Sequence, residues 1–151
     1  INIILSKHTR AFGGLVKLLK LRNIDSLLRE IERGRKWGHW MWFIFPQHIE
    51  LGSSHKSKKY GLHSIEHARA YLTHSVLGDR LRAMVRATLL HTGRSARQLF
   101  NSEIDALKFQ SSMTLFLTSA SLEADRALFQ SALDLFYEGV TCDRTGELVN
   151  A

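Results

Sequence analysis

A mainly α-helical, single-domain fold is what this sequence predicts, with five to seven helices and room for one short strand pair near Trp40 and Tyr60. Three observations carry that prediction. Apolar residues recur at helical spacing through most of the chain. Capping and stop residues punctuate those runs at helix-like lengths. No linker, repeat or low-complexity segment divides the 151 residues, and 44% of them are hydrophobic, enough for one core. Residues 1–20 are expected to form a divergent or poorly ordered N-terminal segment. Residues 21–140 form the helical domain, and residues 141–151 a polar C-terminal tail prone to fraying.

The elements follow in order. Leu21, Ile24, Leu28 and Ile31 lie on one face of an amphipathic helix, with Arg29, Glu30, Glu32 and Arg33 on its other side. Gly34 stops that helix as a C′ residue would. The run from Trp37 to Phe45 is apolar nearly all round, so it reads as a buried strand or a buried helical turn, ended by Pro46. A loop rich in serine and lysine follows, from Gly52 to Lys59. Ser64 reads as an N-cap, with Glu66 in the first turn and Ala68, Tyr71 and Leu72 facing inward. Thr73 or Ser75 is expected to cap the next helix, which carries Leu77, Leu81, Met84, Val85 and Leu89 and ends by Gly93. Ser95 and Gln98 spell a capping box ahead of Leu99 and Phe100. A longer helix runs from about Ser102 to Thr118. Ser121, with Glu123 and Asp125, starts the last long helix, closed by Gly139.

Composition narrows the function classes. The net charge is +7, but residues 1–100 hold 18 Lys/Arg against 6 Asp/Glu, while residues 101–151 hold 3 against 8. That asymmetry permits an anionic partner such as nucleic acid, a nucleotide or an acidic surface; it equally suits two halves that attract each other. The single cysteine, Cys142, excludes an internal disulfide and favours a reducing, cytoplasmic setting. No apolar run approaches the ~20 residues of a membrane span, so no membrane partner is expected. P-loop, G-x-G-x-x-G, C-x-x-C and EF-hand patterns are absent, which removes the commonest nucleotide and metal classes. No cofactor is predicted, and the oligomeric state is left open.

Two dense motifs hold the candidate chemistry. The first, Gly34 to Gln47, contains all three tryptophans and the only proline. Within it, His39 is either a core histidine bonded to a backbone carbonyl or an acid/base group in a water-poor pocket. Gln47 either satisfies a helix end or reads a ligand through its amide. Arg33, Arg35 and Lys36, next to the three tryptophans, suit a base stacked on indole with its phosphate held by cations; they also suit a helix C-terminus.

The second motif is Asp105 to Phe116. On a helix, Asp105, Lys108 and Ser112 share one face, with Ser111 and Thr114 close by. Asp105 and Lys108 can pair with each other while the hydroxyls bond back to i−4 carbonyls, or Lys108 and the hydroxyls can hold a phosphate. A catalytic Ser–Lys pair lacks the G-x-S-x-G or S-x-x-K order and a partner histidine. The His63-Ser64-Ile65-Glu66-His67 spelling matches an inverted zinc-peptidase motif. A cap at Ser64, however, places His63 outside the helix and off the face of His67, so no metal site is expected.

The chain resembles the family known as domain of unknown function 1810, some members of which are loosely labelled calpastatin-like. The resemblance rests on Arg29-Glu30-Ile31, Gly34-Arg35-Lys36, His39 to Gln47, Leu51-Gly52-Ser53-Ser54 and Tyr60. It continues through Glu66, Ala70-Tyr71-Leu72, Leu77-Gly78, Arg80-Leu81 and Asp105 to Phe116, covering about residues 27–145. It implies a small, largely helical cytoplasmic protein and no established reaction. Departures from the family pattern fall at Leu19, Lys20, Ile24, Ser75, Gln110 and Thr145-Gly146.

The functional expectation is a small-molecule site for a nucleotide-like anion. His39, Trp40 and Gln47 form one wall, and Tyr60, Asp105, Lys108, Ser112 and Thr114 the facing polar wall. Arg35 and Lys36 supply the anion contacts, and no catalytic residue is assigned. One alternative is a nucleic-acid binder using the basic residues 1–100. Another is a structural or regulatory interaction protein with all three tryptophans buried and no polar cleft beside them.

Overall fold

The protein is represented by a computed structural model that describes residues 12–21 and 24–150. The described residues form ten α-helices: α1 Gly13–Leu21, α2 Ile24–Glu32, α3 Met41–Ile44, α4 His55–Tyr60, α5 Ile65–Thr73, α6 Leu77–Thr88, α7 Ala96–Phe100, α8 Glu103–Ser119, α9 Glu123–Tyr137 and α10 Asp143–Asn150. A 3₁₀ turn occupies Ile49–Leu51. The helical class matches expectation, but the count exceeds five to seven. The surplus is short: α3, α4 and α7 have four, six and five residues. A helix of one turn shows no periodicity to read. Caps define two of them instead, through the Ser54 hydroxyl on the Ser57 N–H and the Ser95–Gln98 capping box.

No strand pair forms among the described residues. A single parallel bridge joins His48 to Leu62, where the Ile49 N–H donates to the Leu62 carbonyl at 2.9 Å and the Leu62 N–H to the Gln47 carbonyl at 3.0 Å. Three further expectations change. Leu21 ends α1, so the helix read from Leu21 onward begins at Ile24. Neither Thr73 nor Ser75 caps α6. The Nδ1 of His74 accepts from the N–H groups of Val76 and Leu77, doing with an imidazole what a hydroxyl usually does. At α9 the N-cap residue is Leu122, with no side-chain cap, so the acidic Glu123 and Asp125 face an uncapped helix start.

Helix α8 is the hub, packing against α9, α5, α7, α10 and α3. It is surrounded, and accordingly every residue from Ser111 to Phe116 is buried, the hydroxyl-bearing Ser111, Ser112 and Thr114 included. The stretch read as a polar tail carries α10, whose Thr145 is buried and whose preceding Cys142 N–H donates to the Thr114 hydroxyl at 2.9 Å. Of the N-terminal segment, residues 1–11 lie outside the described residues, as do the side chains of Leu19 and Lys20. Phe12 and Leu15 join the core.

Candidate ligand-binding cleft

The cleft begins where α2 ends. Gly34, at φ 85°, takes a conformation that a Cβ would strain and turns the chain back. The Lys36 N–H then donates to the Leu99 carbonyl at 2.7 Å, laying the aromatic segment against α7. Glu30 holds the next residues. Its Oε2 accepts from the Trp40 Nε1–H at 2.6 Å and from the N–H groups of Trp37 at 3.2 Å and Gly38 at 3.4 Å. Trp40 is thereby wholly buried, while Trp37 stays 67% exposed under the Arg35 guanidinium, 4.5 Å from its ring centre. Arg35 also donates to the Asn101 Oδ1 at 3.1 Å.

The helical turn α3 then drives Phe43, Ile44 and Phe45 into the core. The Phe45 ring meets Phe109 of α8 edge-on at 4.8 Å and Phe100 at 5.9 Å, fixing the distance between the two motifs. On α8, the Ser102 hydroxyl caps the Asp105 N–H at 3.1 Å, and the Asp105 Oδ2 receives the Lys36 ammonium at 2.9 Å. Asp105 therefore pairs across the cleft, not with Lys108 along its own helix. Lys36 is only 5% exposed, and its ammonium lies 5.3 Å from the Trp40 ring centre.

Two hollows border this ion pair, and Lys36, His39 and Asp105 line both. One, of about 570 Å³ including space open to solvent, is walled by Trp37, Phe100, Asn101, Ser102 and Ile104. The other, of about 250 Å³ on the same measure, is walled by Trp40, Met41, Trp42 and Lys108. Lys108 and His39 make no hydrogen bond or ion pair among the described residues. Lys36 and Asp105 neutralise each other, so Lys108 and Arg35 leave the cleft with positive charge.

The structure thus brings together His39, Trp40, Asp105, Lys108 and Lys36, with Arg35 at the rim. It does not bring in the other four candidates. Gln47 is buried beyond Pro46, its backbone carbonyl bound by Leu62. Tyr60 stacks on Trp42 at 5.1 Å and lines a separate hollow with Phe12, Lys59 and His63. Ser112 is wholly buried. The Thr114 hydroxyl is taken up by the Gln110 carbonyl at 2.8 Å and the Cys142 N–H. His63 precedes α5, and its backbone N–H occupies the His67 Nδ1 at 3.0 Å. No group of three metal-binding side chains occurs among the described residues.

Sequence reasoning did not single out Glu30 or Ile104, and took Trp37 only as one of three tryptophans beside basic residues. A signal for Glu30 existed: a carboxylate in the last turn of a helix opposes the helix dipole unless it has donors to serve. The interaction-protein reading expected three buried tryptophans. Instead, Trp37 is exposed and a polar cleft adjoins it.

Comparison with known proteins places the chain. No characterised protein in a curated collection matches it. No helix among the described residues is long and apolar enough to cross a membrane. A solved structure that resembles it is the crystal structure, at 1.38 Å, of the conserved hypothetical protein Rv1873 from Mycobacterium tuberculosis. That protein is 37% identical, with a TM-score of 0.78 over 97% of this chain and 96% of that one. Residues 19–149 match the family described as "Protein of unknown function (DUF1810)". By that match over most of its length, the chain belongs to the DUF1810 family.

Proposed function

We propose that the cleft between the Trp37–Trp42 segment and the N-terminal half of α8 binds a small anion carrying a planar ring, of the nucleotide kind. One observation carries this reading: Lys108, a cation unpaired among the described residues, and Trp37, a two-thirds exposed indole, line two hollows that share Lys36, His39 and Asp105. Leaving a large aromatic in water forgoes burial worth roughly 2 kcal/mol. An exposed indole beside a cation is the arrangement on which a nucleobase stacks. No acid/base pair or activated nucleophile is assigned, so the reading is of binding.

A thermal-shift comparison tests it. Adenosine 5′-monophosphate, adenosine, inorganic phosphate and a single-stranded oligonucleotide are added separately to the wild-type protein and to Lys108→Ala. Stabilisation by the mononucleotide, reduced in Lys108→Ala, is the predicted result. Stabilisation by the oligonucleotide alone, fading steeply with salt, would replace this reading with nucleic-acid binding.

A further inference from the structure

We infer that Asp105 reads hydroxyl groups on the ligand's sugar, so that the cleft takes a ribonucleotide in preference to a deoxy analogue or bare phosphate; this rests on the nucleotide reading above. The order of chemistry along the cleft argues for it. At one end lie the exposed Trp37 and Ile104, each 67% exposed, a platform for a ring. At the other end lies Lys108, without a partner among the described residues, over a floor of buried Trp40 and Met41. Between them, shared by both hollows, sit His39 and the Lys36–Asp105 pair.

Asp105 constrains what can occupy that middle position. Its Oδ2 is held by Lys36 at 2.9 Å, while its Oδ1 makes no hydrogen bond among the described residues. A carboxylate only accepts hydrogen bonds, so a ligand group lying on it must donate. An anion there would meet like charge, and an apolar group would strip water from the free oxygen without replacing its bonds. Lys36 cannot swing away to offer its charge, because it is nearly fully buried and its departure would leave Asp105 uncompensated. The ligand must therefore be apolar and planar at Trp37, donating in the middle and anionic at Lys108. Base, ribose and phosphate follow that order in a nucleoside monophosphate.

The first arm of the test needs no variant. Wild-type protein is titrated calorimetrically with adenosine 5′-monophosphate and with its 2′,3′-dideoxy counterpart, which shares base and phosphate. Loss of hydrogen bonds to a charged acceptor predicts binding about ten- to a hundredfold weaker for the dideoxy compound. Asp105→Ala, checked for folding by circular dichroism, removes the acceptor and is expected to bring the two affinities together. Equal affinities in the wild type, or discrimination that persists in folded Asp105→Ala, would overturn the role of Asp105 while leaving the nucleotide reading intact. Failure of both mononucleotides to bind would overturn both readings.

Discussion

At the scale of single residues, long-range polar contacts do work that local rules cannot foresee. Arg82 on α6 holds the buried Asp125 of α9 through two hydrogen bonds, from Nε at 2.7 Å and from Nη2 at 2.9 Å, and the same Nη2 also donates to the Leu72 carbonyl at the end of α5. The Asp125 hydrogen bond pushes the guanidinium pKa further up, against the effect of burial. Arg82→Ala would leave Asp125, 8% exposed, charged and alone. Breaking one side of such a pair is predicted to cost about 3 kcal/mol in urea unfolding. Arg82→Lys should recover only part of that, because an ammonium cannot reproduce the fork. A loss within ~0.5 kcal/mol for Arg82→Ala would show that the pair carries no net stability. Legibility at this scale followed sequence separation. Ser64, and Ser95 with Gln98, were readable as caps because each bonds three residues on. Glu30 and the partner of Asp105 were not, since Trp40 lies ten residues on and Lys36 sixty-nine residues away.

At the scale of elements, the junctions between helices are where the sequence is least tolerant. Gly78, in the first turn of α6, stands against the end of α5. A Cβ there would sit 2.1 Å from the Leu72 carbonyl oxygen, a backbone atom that also serves Arg82. Helix propensity alone favours Gly→Ala by roughly 1 kcal/mol. The clash reverses the sign, and Gly78→Ala is predicted to destabilise by about 1–3 kcal/mol. Stabilisation by this substitution would show that α5 and α6 are free to move apart.

The 3₁₀ turn gives a second element-level prediction. His48 caps it, with Nδ1 accepting from the Glu50 N–H at 3.2 Å. Burial disfavours its imidazolium and, outweighing the pull of Glu50, holds its pKa below the usual 6.5. The unfolded chain then binds the proton more readily. The contribution of His48 is full above about pH 6.5 and is lost as pH falls from there through the folded pKa. His48→Asn keeps a cap acceptor without the titration. Its urea midpoint should therefore fall less between pH 7.5 and pH 5 than that of the wild type. An equal fall in both proteins would exclude His48 as the source. The long helices α5, α6, α8 and α9 were legible because repeated apolar spacing marks them. The one-turn α3 and the bridge at His48 were not, because they are set by how Phe43 and Phe45 meet α8 and α5.

At the scale of the whole molecule, two motifs separated by about sixty residues meet because Phe45 packs on Phe109 and Lys36 pairs with Asp105. The sequence reading set these motifs face to face, but it could not tell which half of the second motif faces the first. Only the N-terminal half of α8, with Asp105 and Lys108, borders the cleft. Beyond it, Ser112 and Thr114 are enclosed by the helices that pack around α8. Polar residues recur along the whole of Asp105–Thr114, among Ala106, Leu107, Phe109 and Met113, and so hid that change from open to enclosed. Charge follows the same division. The basic excess of residues 1–100 was legible, whereas the commitment of Lys36 to Asp105, which leaves Lys108 as the available cation, depends on tertiary packing. Calorimetric titration of adenosine 5′-monophosphate into the wild-type protein and into Lys108→Ala tests the proposed site most directly. Binding by the wild type that weakens about tenfold or more in a folded Lys108→Ala is the predicted result. No binding by the wild type, or equal affinity in the variant, would contradict it.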